Sequence, residues 1–368
     1  MPETDRPRSA RHRRGRLSRR GKVVAAVSTV TIVAGAALGY FVLFPKQAPA
    51  FVQKTLVSVG LADPNEVEPQ ATCPLTGEVV ASGRVPDRPA LAIKVENAPE
   101  ARPQAALNEA DVIVEEPVEG GYTRFIAIYQ CGGSDRVGPV RSGRTTDPDY
   151  LRQLGPAVFG YAGAVQQVKN EVPQAGLVDV NYIIAAQAYT RDAARSAPHD
   201  LFTATQALWK AAGNPRGAPH ALFGYDEAWE GKARRVRVAH LPYSSVSDVV
   251  WTWRPAKQAW LRSHGDVPHM LEGDEQVSAN NVVIQVVEVS QSGITDAAGN
   301  YSPDVTLTGS GKAFVLRDGR AIAGRWERPT LKDLTTFVTR DGDEITLATG
   351  RTWVQLVPTT VGFELSRG

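Results

Sequence analysis

The chain has 368 residues, of which 42% are hydrophobic and 22% are charged. This balance excludes a long disordered protein, a coiled coil and a transporter with many membrane spans. The formal net charge of +2 is unevenly distributed, because residues 1–22 hold eight Arg and one Lys against Glu3 and Asp5. The remaining chain is therefore net acidic, and we expect no nucleic-acid binding by its folded part.

The segment of residues 23–44 contains no charged side chain and directly follows the basic tail, residues 1–22. A helix of this length is about 33 Å long and can cross a hydrocarbon core of about 30 Å. The basic tail predicts a cytoplasmic N-terminus, so we expect a single-pass protein of the plasma membrane with an extracytoplasmic C-terminal part. The alternative is a cleaved signal peptide, with residues 48–50 as the cleavage site. Both interpretations place the rest of the chain outside the cytoplasm.

Cys73 and Cys131 are the two cysteines of the chain, and both follow the apolar segment. Because exported compartments are oxidising, the first expectation is a disulfide bond between them, and the alternative is two unpaired buried thiols. We expect no metal and no cofactor. His264 and His269 lack the spacing of metal ligands, and we expect them in a solvated loop. The common nucleotide-binding and hydrolase motifs are absent from the sequence.

Residues 45–72 contain four prolines and predict a stalk. Residues 73–228 alternate between strand and helix patterns, which predicts an α/β extracytoplasmic domain. Strands are expected at residues 90–95, 111–115, 123–129 and 157–161. One helix is expected to have Asp147 as its N-cap and Pro148 at its first position and to end at Gly155, and another to follow a capping box formed by Thr203 and Gln206.

Residues 229–368 follow a period of two and predict a smaller, mainly-β C-terminal domain. Strands are expected at residues 249–253, 259–263, 282–289, 312–317 and 352–357. The dipeptides Asp318-Gly319 and Asp341-Gly342 predict hairpin turns. Trp251 and Trp253 share one face of a strand, either as a stacking platform for sugar rings or, as we favour, as a packing surface.

Charged residues are concentrated among apolar strand residues between residues 94 and 149. Charges at strand ends near a buried sheet are paired or line a cleft, and the fork of an arginine fits carboxylates and phosphates. We expect Arg102, Arg124, Arg141 and Arg144 to converge with Glu96, Glu115 and Glu119 on one side of the sheet. The predicted ligand-binding residues are Glu96, Asn97, Arg102, Asp111, Glu115, Glu119, Arg124, Arg141, Arg144 and His199.

The same segments resemble the YerB-like bacterial lipoprotein family, which is a domain family of unknown function. The matching stretches are RPALAIKVEN at residues 88–97, ARPQ at 101–104, LNEAD at 107–111 and VGPVRS at 137–142. Further matching pieces lie within residues 191–202, 311–326 and 350–353, so that the resemblance covers about residues 73–360. It implies a two-domain extracytoplasmic fold, with an α/β N-terminal part and a smaller β-rich part, but it implies no activity.

This chain departs from the family pattern in three places, one of which is Ala105-Ala106, where a Ser-Gly is commoner. It lacks a lipobox cysteine, so an uncleaved apolar helix would replace the lipid as the membrane anchor. Tyr161-Ala162-Gly163 stands where a His-Ala-Gly is common, which argues against a His-dependent catalytic step at that position.

Two functions are compatible with the sequence. The favoured one is a non-catalytic envelope protein that binds an anionic wall polymer or a partner protein through the cleft. The alternative is a hydrolase or transferase of an envelope glycan, with paired carboxylates among Glu96, Asp111, Glu115 and Glu119 as acid and base. Ser142 and His199 fit a nucleophile and a base by residue type alone. Carboxylates that are each paired with an arginine would favour the binding function.

Overall fold

The computed structural model describes residue 61, residues 70–295 and residues 299–367. The predicted basic tail, the apolar segment of residues 23–44 and most of the stalk lie outside the described residues. Among the described residues, no helix has the length and hydrophobicity that a bilayer span requires.

The described chain consists mostly of strands. In chain order they are β1 (Ala90–Glu96), β2 (Val112–Pro117), β3 (Thr123–Tyr129), β4 (Ala157–Gly160), β5 (Leu177–Asp179), β6 (Tyr189–Arg191), β7 (Leu201–Thr203), β8 (Arg234–Arg235), β9 (Val238–Ser244), β10 (Ser247–Arg254), β11 (Ala259–His264), β12 (Val267–Pro268), β13 (Ser278–Ala279), β14 (Asn281–Val287), β15 (Val289–Thr295), β16 (Tyr301–Val305), β17 (Gly309–Arg317), β18 (Arg320–Arg328), β19 (Thr336–Thr339), β20 (Thr352–Pro358) and β21 (Glu364–Ser366). The α-helices of the described residues are α1 (Thr146–Leu151), α2 (Gln166–Gln174) and α3 (Thr205–Ala211).

Eleven strands of the described chain form one mixed sheet. Its order is β19-β18-β17-β14-β20-β2-β3-β1-β4-β5, with β8 attached to β18. Strands of the predicted α/β part and of the predicted β-rich part meet inside this sheet, because β2 and β20 pair in parallel with Val114 opposite Val354. The strands β1, β4 and β5 are also parallel to one another. The two parts are thus joined through a common sheet, while the boundary after residue 228 stays a prediction.

Each face of the main sheet is covered by its own layer. A six-stranded sheet, of order β12-β11-β10-β9-β21 with β13 attached to β11, contributes Trp251 to one core, where its ring contacts Trp353 of β20 edge to face at 5.1 Å. The helix α3 packs into the same core through Leu208. On the opposite face, α1 and α2 contribute Leu151 and Val168. Because both faces are covered, the central strands are apolar on both sides.

The main strands and the hairpin at Asp318-Gly319 confirm the sequence predictions, whereas residues 341–342 lie in a longer turn that is closed by a single bridge between Val338 and Glu344. Asp318 and Gly319 have φ values of 52° and 67°, as the predicted two-residue turn requires. Trp251 is fully buried, which confirms the packing interpretation and excludes a sugar platform. The predicted capping box is wrong, because the hydroxyl of Thr203 donates to Ala188 O and α3 begins two residues later. The predicted N-cap at Asp147 is wrong, because α1 already begins at Thr146, and the Asp147 carboxylate binds Lys94 and the N–H of Arg144 instead.

The expected disulfide bond between Cys73 and Cys131 is present and connects residues 58 positions apart. It ties the segment before β1 to the end of β3, beside the main sheet. In the chain-entropy model a bond across a loop of this size stabilises the fold by about 4 kcal/mol, because it restricts the unfolded chain.

Replacing both cysteines, Cys73→Ser with Cys131→Ser, is expected to lower the Tm by on the order of 5–10 °C under oxidising conditions. Thermal denaturation followed by circular dichroism measures this shift. The wild type treated with a reductant is the control, and it should approach the variant. An unchanged Tm would contradict a stabilising role of the bond.

Candidate functional site

The candidate site lies where the parallel strands β1 and β4 separate at their carboxyl ends. Beyond the last β1–β4 pair, Arg141 is inserted between the two chains: its N–H donates to Lys94 O, and its carbonyl accepts from Ala162 N–H, both at 2.9 Å. The Arg141 backbone therefore replaces the bonds that would have joined the two strands. This fixes the arginine loop, residues 141–144, at the sheet edge where α/β proteins commonly bind ligands.

A buried ion cluster, formed by Lys94, Glu116 and Asp147, fixes the backbone of the arginine loop. The ammonium of Lys94 is fully buried between Glu116, with which it forms an ion pair, and Asp147 Oδ1 at 2.6 Å. The other carboxylate oxygen of Asp147 accepts the N–H of Arg144 at 2.6 Å. One ammonium cannot neutralise two buried carboxylates. Burial therefore raises the pKa of Glu116 to about 7, with the Asp147 charge adding to the rise and Lys94 opposing it.

Above this cluster is a pocket of about 560 Å³, which we call the arginine pocket. Six of the predicted site residues line it: Glu96, Glu119, Arg124, Arg141, Arg144 and His199. They come from the end of β1, the turn after β2, the start of β3, the arginine loop and the segment before β7. The exposed side chain of Glu100 lies at the rim of the pocket. The structure thus brings together charges that are up to about 100 residues apart in the sequence.

Glu96 uses both of its carboxylate oxygens within the pocket. Arg141 Nε donates to Oε1 at 2.8 Å, and His199 Nδ1 lies 2.8 Å from Oε2. The carboxylate is almost fully buried, whereas the imidazole of His199 is 20% exposed. Glu96 therefore fixes the orientation of one guanidinium and of one imidazole.

Glu119 is paired with a second arginine of the pocket. Arg144 Nη2 and Nε donate to Glu119 Oε2 at 2.6 and 3.0 Å, and the hydroxyl of Ser302 donates to Oε1. Burial acts to raise the pKa of Glu119, but the hydrogen bonds and charge of Arg144 outweigh it and lower the pKa below its usual value. Glu119 is therefore ionised at neutral pH.

Arg124 differs from the other two arginines because it has no short ion pair. Among the described residues, its shortest polar contacts are 3.5 Å from Nη1 to Ser142 O and 4.0 Å from Nη1 to Glu119. Its side chain is only 12% exposed. Burial, together with the charge of Arg144, lowers the pKa of Arg124 to about 10, so the guanidinium is still cationic at pH 7.

Asn97 and Arg102 do not line the pocket, so Arg102 does not join the other three arginines there as predicted. Arg102 Nη2 donates to Asn97 O at 2.8 Å, and the amide of Asn97 donates to Thr123 Oγ1 at 2.7 Å. Asp111 lies at the opposite end of β2, where backbone N–H groups, including that of Cys131 at 3.0 Å, donate to its carboxylate. Burial raises the pKa of Asp111 to about 6, although these hydrogen bonds oppose the rise.

The predicted convergence is wrong for Glu115, which lies on the other face of the sheet. Successive strand residues point to opposite faces, so Glu116 joins the Lys94 cluster while Glu115 faces the second sheet. There the fully buried Arg262 donates to Glu115 Oε1 at 2.7 Å, and Gln355 donates to Oε2 at 3.0 Å. A carboxylate with this many partners is structural, and it is not available to a ligand in the arginine pocket.

The expectation of a solvated loop around His264 and His269 is also wrong. His269 is 1% exposed, and its Nδ1 accepts a hydrogen bond from Arg262 Nη1 at 2.8 Å. Burial and the Arg262 charge hold the pKa of His269 well below its usual value, so the ring is neutral. Its Nε2–H then donates to Gln104 Oε1 at 2.8 Å. Within the described residues, no group of acidic, histidine or cysteine side chains is arranged to hold a metal ion.

Sequence reasoning missed the importance of Lys94, Asp147 and Arg262 for the site. The available signal was Lys94, a cation inside the otherwise apolar run ALAIKV of β1. A lysine in a strand that is buried on both faces requires an anionic partner, but the sequence does not show which of the many carboxylates it is.

Fold and site together define a mixed-sheet protein with an arginine- and carboxylate-lined pocket at the ends of two parallel strands. Two family models match the chain: the protein of unknown function (DUF3048) N-terminal domain at residues 75–218 and its C-terminal domain at residues 239–354. The chain belongs to this family, which confirms the resemblance seen in the sequence.

A relative from Bacillus subtilis (strain 168) is YerB, which carries the provisional description of a lipoprotein. It is 27% identical over 306 residues, which are 80% of this chain and 88% of the relative. The crystal structure of Bacillus subtilis YerB matches with a TM-score of 0.69 at 23% identity, over 80% of this chain and all of that one. At this identity the structural match establishes the fold alone.

Titration of Glu116 should make the stability of the protein depend on pH. Its folded-state pKa lies above the unfolded value, so the folded state binds the proton more tightly, and stability is lost as pH rises from about 4.5 through about 7. This loss in the free energy of unfolding amounts to at most about 3 kcal/mol in the wild type. We expect it to be smaller in Glu116→Gln.

Urea denaturation at pH 5 and at pH 7.5 measures the effect. The difference in the free energy of unfolding between these pH values should be smaller for Glu116→Gln than for the wild type. Glu364→Gln, at an exposed position, should behave like the wild type. If Glu116→Gln and the wild type show the same difference, the carboxylate does not hold a proton in the folded protein.

Proposed function

We propose that this chain is a membrane-associated protein of the cell envelope whose extracytoplasmic part binds an anionic group in the arginine pocket. The observation that carries the proposal is the placement of Arg124, Arg141 and Arg144 around one pocket, with hydrogen-bond donors left over. Arg141 uses only Nε in its ion pair, so among the described residues both of its Nη groups lack a partner. The contacts of Arg124 are long, as given above.

These free donors favour an anion with several oxygen atoms. Charge-assisted hydrogen bonds from guanidinium groups are strong and geometrically specific for carboxylate and phosphate. Glu96 and Glu119 orient the arginines without occupying all of their donors. The acidic Glu100 lies at the exposed rim, where water screens its charge more than it screens the buried pairs.

The pairing of the two buried pocket carboxylates, Glu96 and Glu119, with arginines supports binding over a carboxylate-dependent glycan hydrolase. A glycosidase needs one carboxyl group that is protonated and can act as a general acid. The pKa of Glu119 is lowered by Arg144, and both oxygens of Glu96 are engaged. Asp111 and Glu115 lie outside the pocket, so they cannot serve as the second member of a pair there.

Three observations support the proposed location. The apolar segment of residues 23–44 follows a basic tail, as in an anchored protein with an exported C-terminal part. The Cys73–Cys131 disulfide is typical of oxidising compartments outside the cytoplasm. The Bacillus subtilis relative is described as a lipoprotein, which is also a membrane-attached class.

The purified full-length chain should bind inorganic phosphate. Its affinity for phosphate should fall when an arginine of the pocket is replaced by lysine. Arg141→Lys and Arg124→Lys keep the charge but lose the bidentate geometry, so we expect the Kd to rise by roughly 10-fold or more. Isothermal titration calorimetry at constant ionic strength measures the affinity.

Arg84→Lys is the matched control, because Arg84 is exposed and lies outside the pocket. It should bind phosphate like the wild type. The Tm of each variant shows that it is folded. Equal affinities of the wild type, Arg124→Lys and Arg141→Lys, all folded, would rule out the anion site.

The protein should remain in the membrane fraction after a wash with high salt and should require detergent for release. The reason is that the apolar segment of residues 23–44 would act as a hydrophobic anchor, which salt does not weaken. Cell fractionation followed by immunoblotting measures the distribution. A mature protein that begins near Phe51 and is free in the medium would instead support the cleaved signal peptide.

A further inference from the structure

We propose that His199 is a general base that makes the arginine pocket hydrolyse a phosphate ester. This inference rests on the anion site proposed above and adds a reaction to it. It uses a histidine, not a pair of carboxylates, and therefore differs from the glycosidase alternative. His199 Nδ1 lies 2.8 Å from Glu96 Oε2, and this contact determines what the imidazole can do.

Glu96 selects the tautomer of the imidazole. Its Oε1 accepts a hydrogen bond from Arg141 Nε at 2.8 Å, and in this ion pair Glu96 is the carboxylate partner of the guanidinium. An ionised carboxylate can only accept, and His199 Nδ1 must therefore carry the hydrogen. In the neutral ring the lone pair is then on Nε2. Among the described residues Nε2 has no hydrogen-bond partner, and the ring lines the pocket.

This is the arrangement of a general base that is oriented by a third group. A carboxylate that holds the Nδ1–H of a histidine fixes the ring and stabilises the imidazolium formed when Nε2 takes a proton. Glu96 acts here as a positioning residue. Arg141, which binds the other oxygen of Glu96, connects the base to the arginines that would hold the substrate.

The arginines determine which substrate class fits this base. Attack of an activated water on the carbon of a bound carboxylate would only regenerate that carboxylate, whereas attack on the phosphorus of a phosphate ester can release an alcohol. Phosphoryl transfer spreads negative charge over the equatorial oxygens, and cationic donors around them stabilise the transition state. Arg124 and Arg141 supply such donors, because some of their N–H groups have no short hydrogen bond among the described residues. Arg144 adds a third positive charge to the pocket.

The reaction consumes one water molecule. His199 Nε2 takes a proton from the water as its oxygen forms a bond to phosphorus, and the bond from phosphorus to the ester oxygen breaks with its electron pair. The leaving oxygen takes a proton from solvent, and Nε2 returns its proton to solvent. The products are an alcohol and a phosphate with one ester bond fewer, and no oxidation or reduction occurs.

The test uses the purified full-length chain and two probes, p-nitrophenyl phosphate and bis(p-nitrophenyl) phosphate. We expect the wild type to release p-nitrophenolate from at least one of them, and His199→Ala to lose at least about 100-fold in kcat. Glu96→Gln should lower kcat with a smaller change in KM, because it disturbs the orientation of the base. His220→Ala is the matched control at an exposed histidine and should retain the wild-type rate.

Phosphate affinity, measured by calorimetry on the same preparations, separates this inference from the proposed function. His199→Ala should lose hydrolysis by a much larger factor than it loses affinity for inorganic phosphate, since the arginines remain. Phosphate binding without hydrolysis of either probe would overturn the inference and leave the anion site standing. Hydrolysis by folded His199→Ala at the wild-type rate would also overturn it. If the wild type neither binds inorganic phosphate nor hydrolyses either probe, both the anion site and the hydrolysis are ruled out.

Discussion

The buried ammonium of Lys94 is the constraint on which the site depends. A lysine inside a sheet that is covered on both faces is stable only beside carboxylates, and Glu116 and Asp147 supply them. Asp147 in turn holds the backbone N–H of Arg144, while the carbonyl of Lys94 holds Arg141. The contacts that neutralise and surround Lys94 thereby fix the position of the arginine loop. The loop in turn places the guanidinium groups of Arg141 and Arg144 at the pocket.

The pleat of β2 keeps two ionic networks apart. Glu116 belongs to the cluster under the arginine loop, and its neighbour Glu115 binds Arg262 on the opposite face. The second network continues through His269 to the backbone carbonyl of Glu96 by way of Gln104. Both networks therefore end at the pocket. Because Arg262 belongs to the second sheet, the two sheets are connected to the site by buried polar contacts as well as by apolar packing.

The sequence was sufficient to predict strands and turns, because their signals are local. It was insufficient to identify the ion-pair partners of side chains that are distant along the chain. The strands around residues 90–95 and 123–129 and the turn at Asp318-Gly319 follow from composition and period. Six members of the pocket could be proposed because strand-end charges rarely stay unpaired. The error at Glu115 arose because alternate residues of a strand face opposite ways, and the sequence does not show whether Glu115 or its neighbour Glu116 faces the arginine loop. The role of Arg262 could not be foreseen, since its partner lies 147 positions away.

The central claim is that the arginine pocket binds an oxyanion. The most direct measurement is anomalous diffraction from crystals of the protein soaked in tungstate, a heavy analogue of phosphate. We expect a tungsten peak in the pocket, with the tungstate oxygen atoms within hydrogen-bond distance of Arg124 and Arg141. Tungsten peaks elsewhere on the molecule, with the pocket free of density, would contradict it.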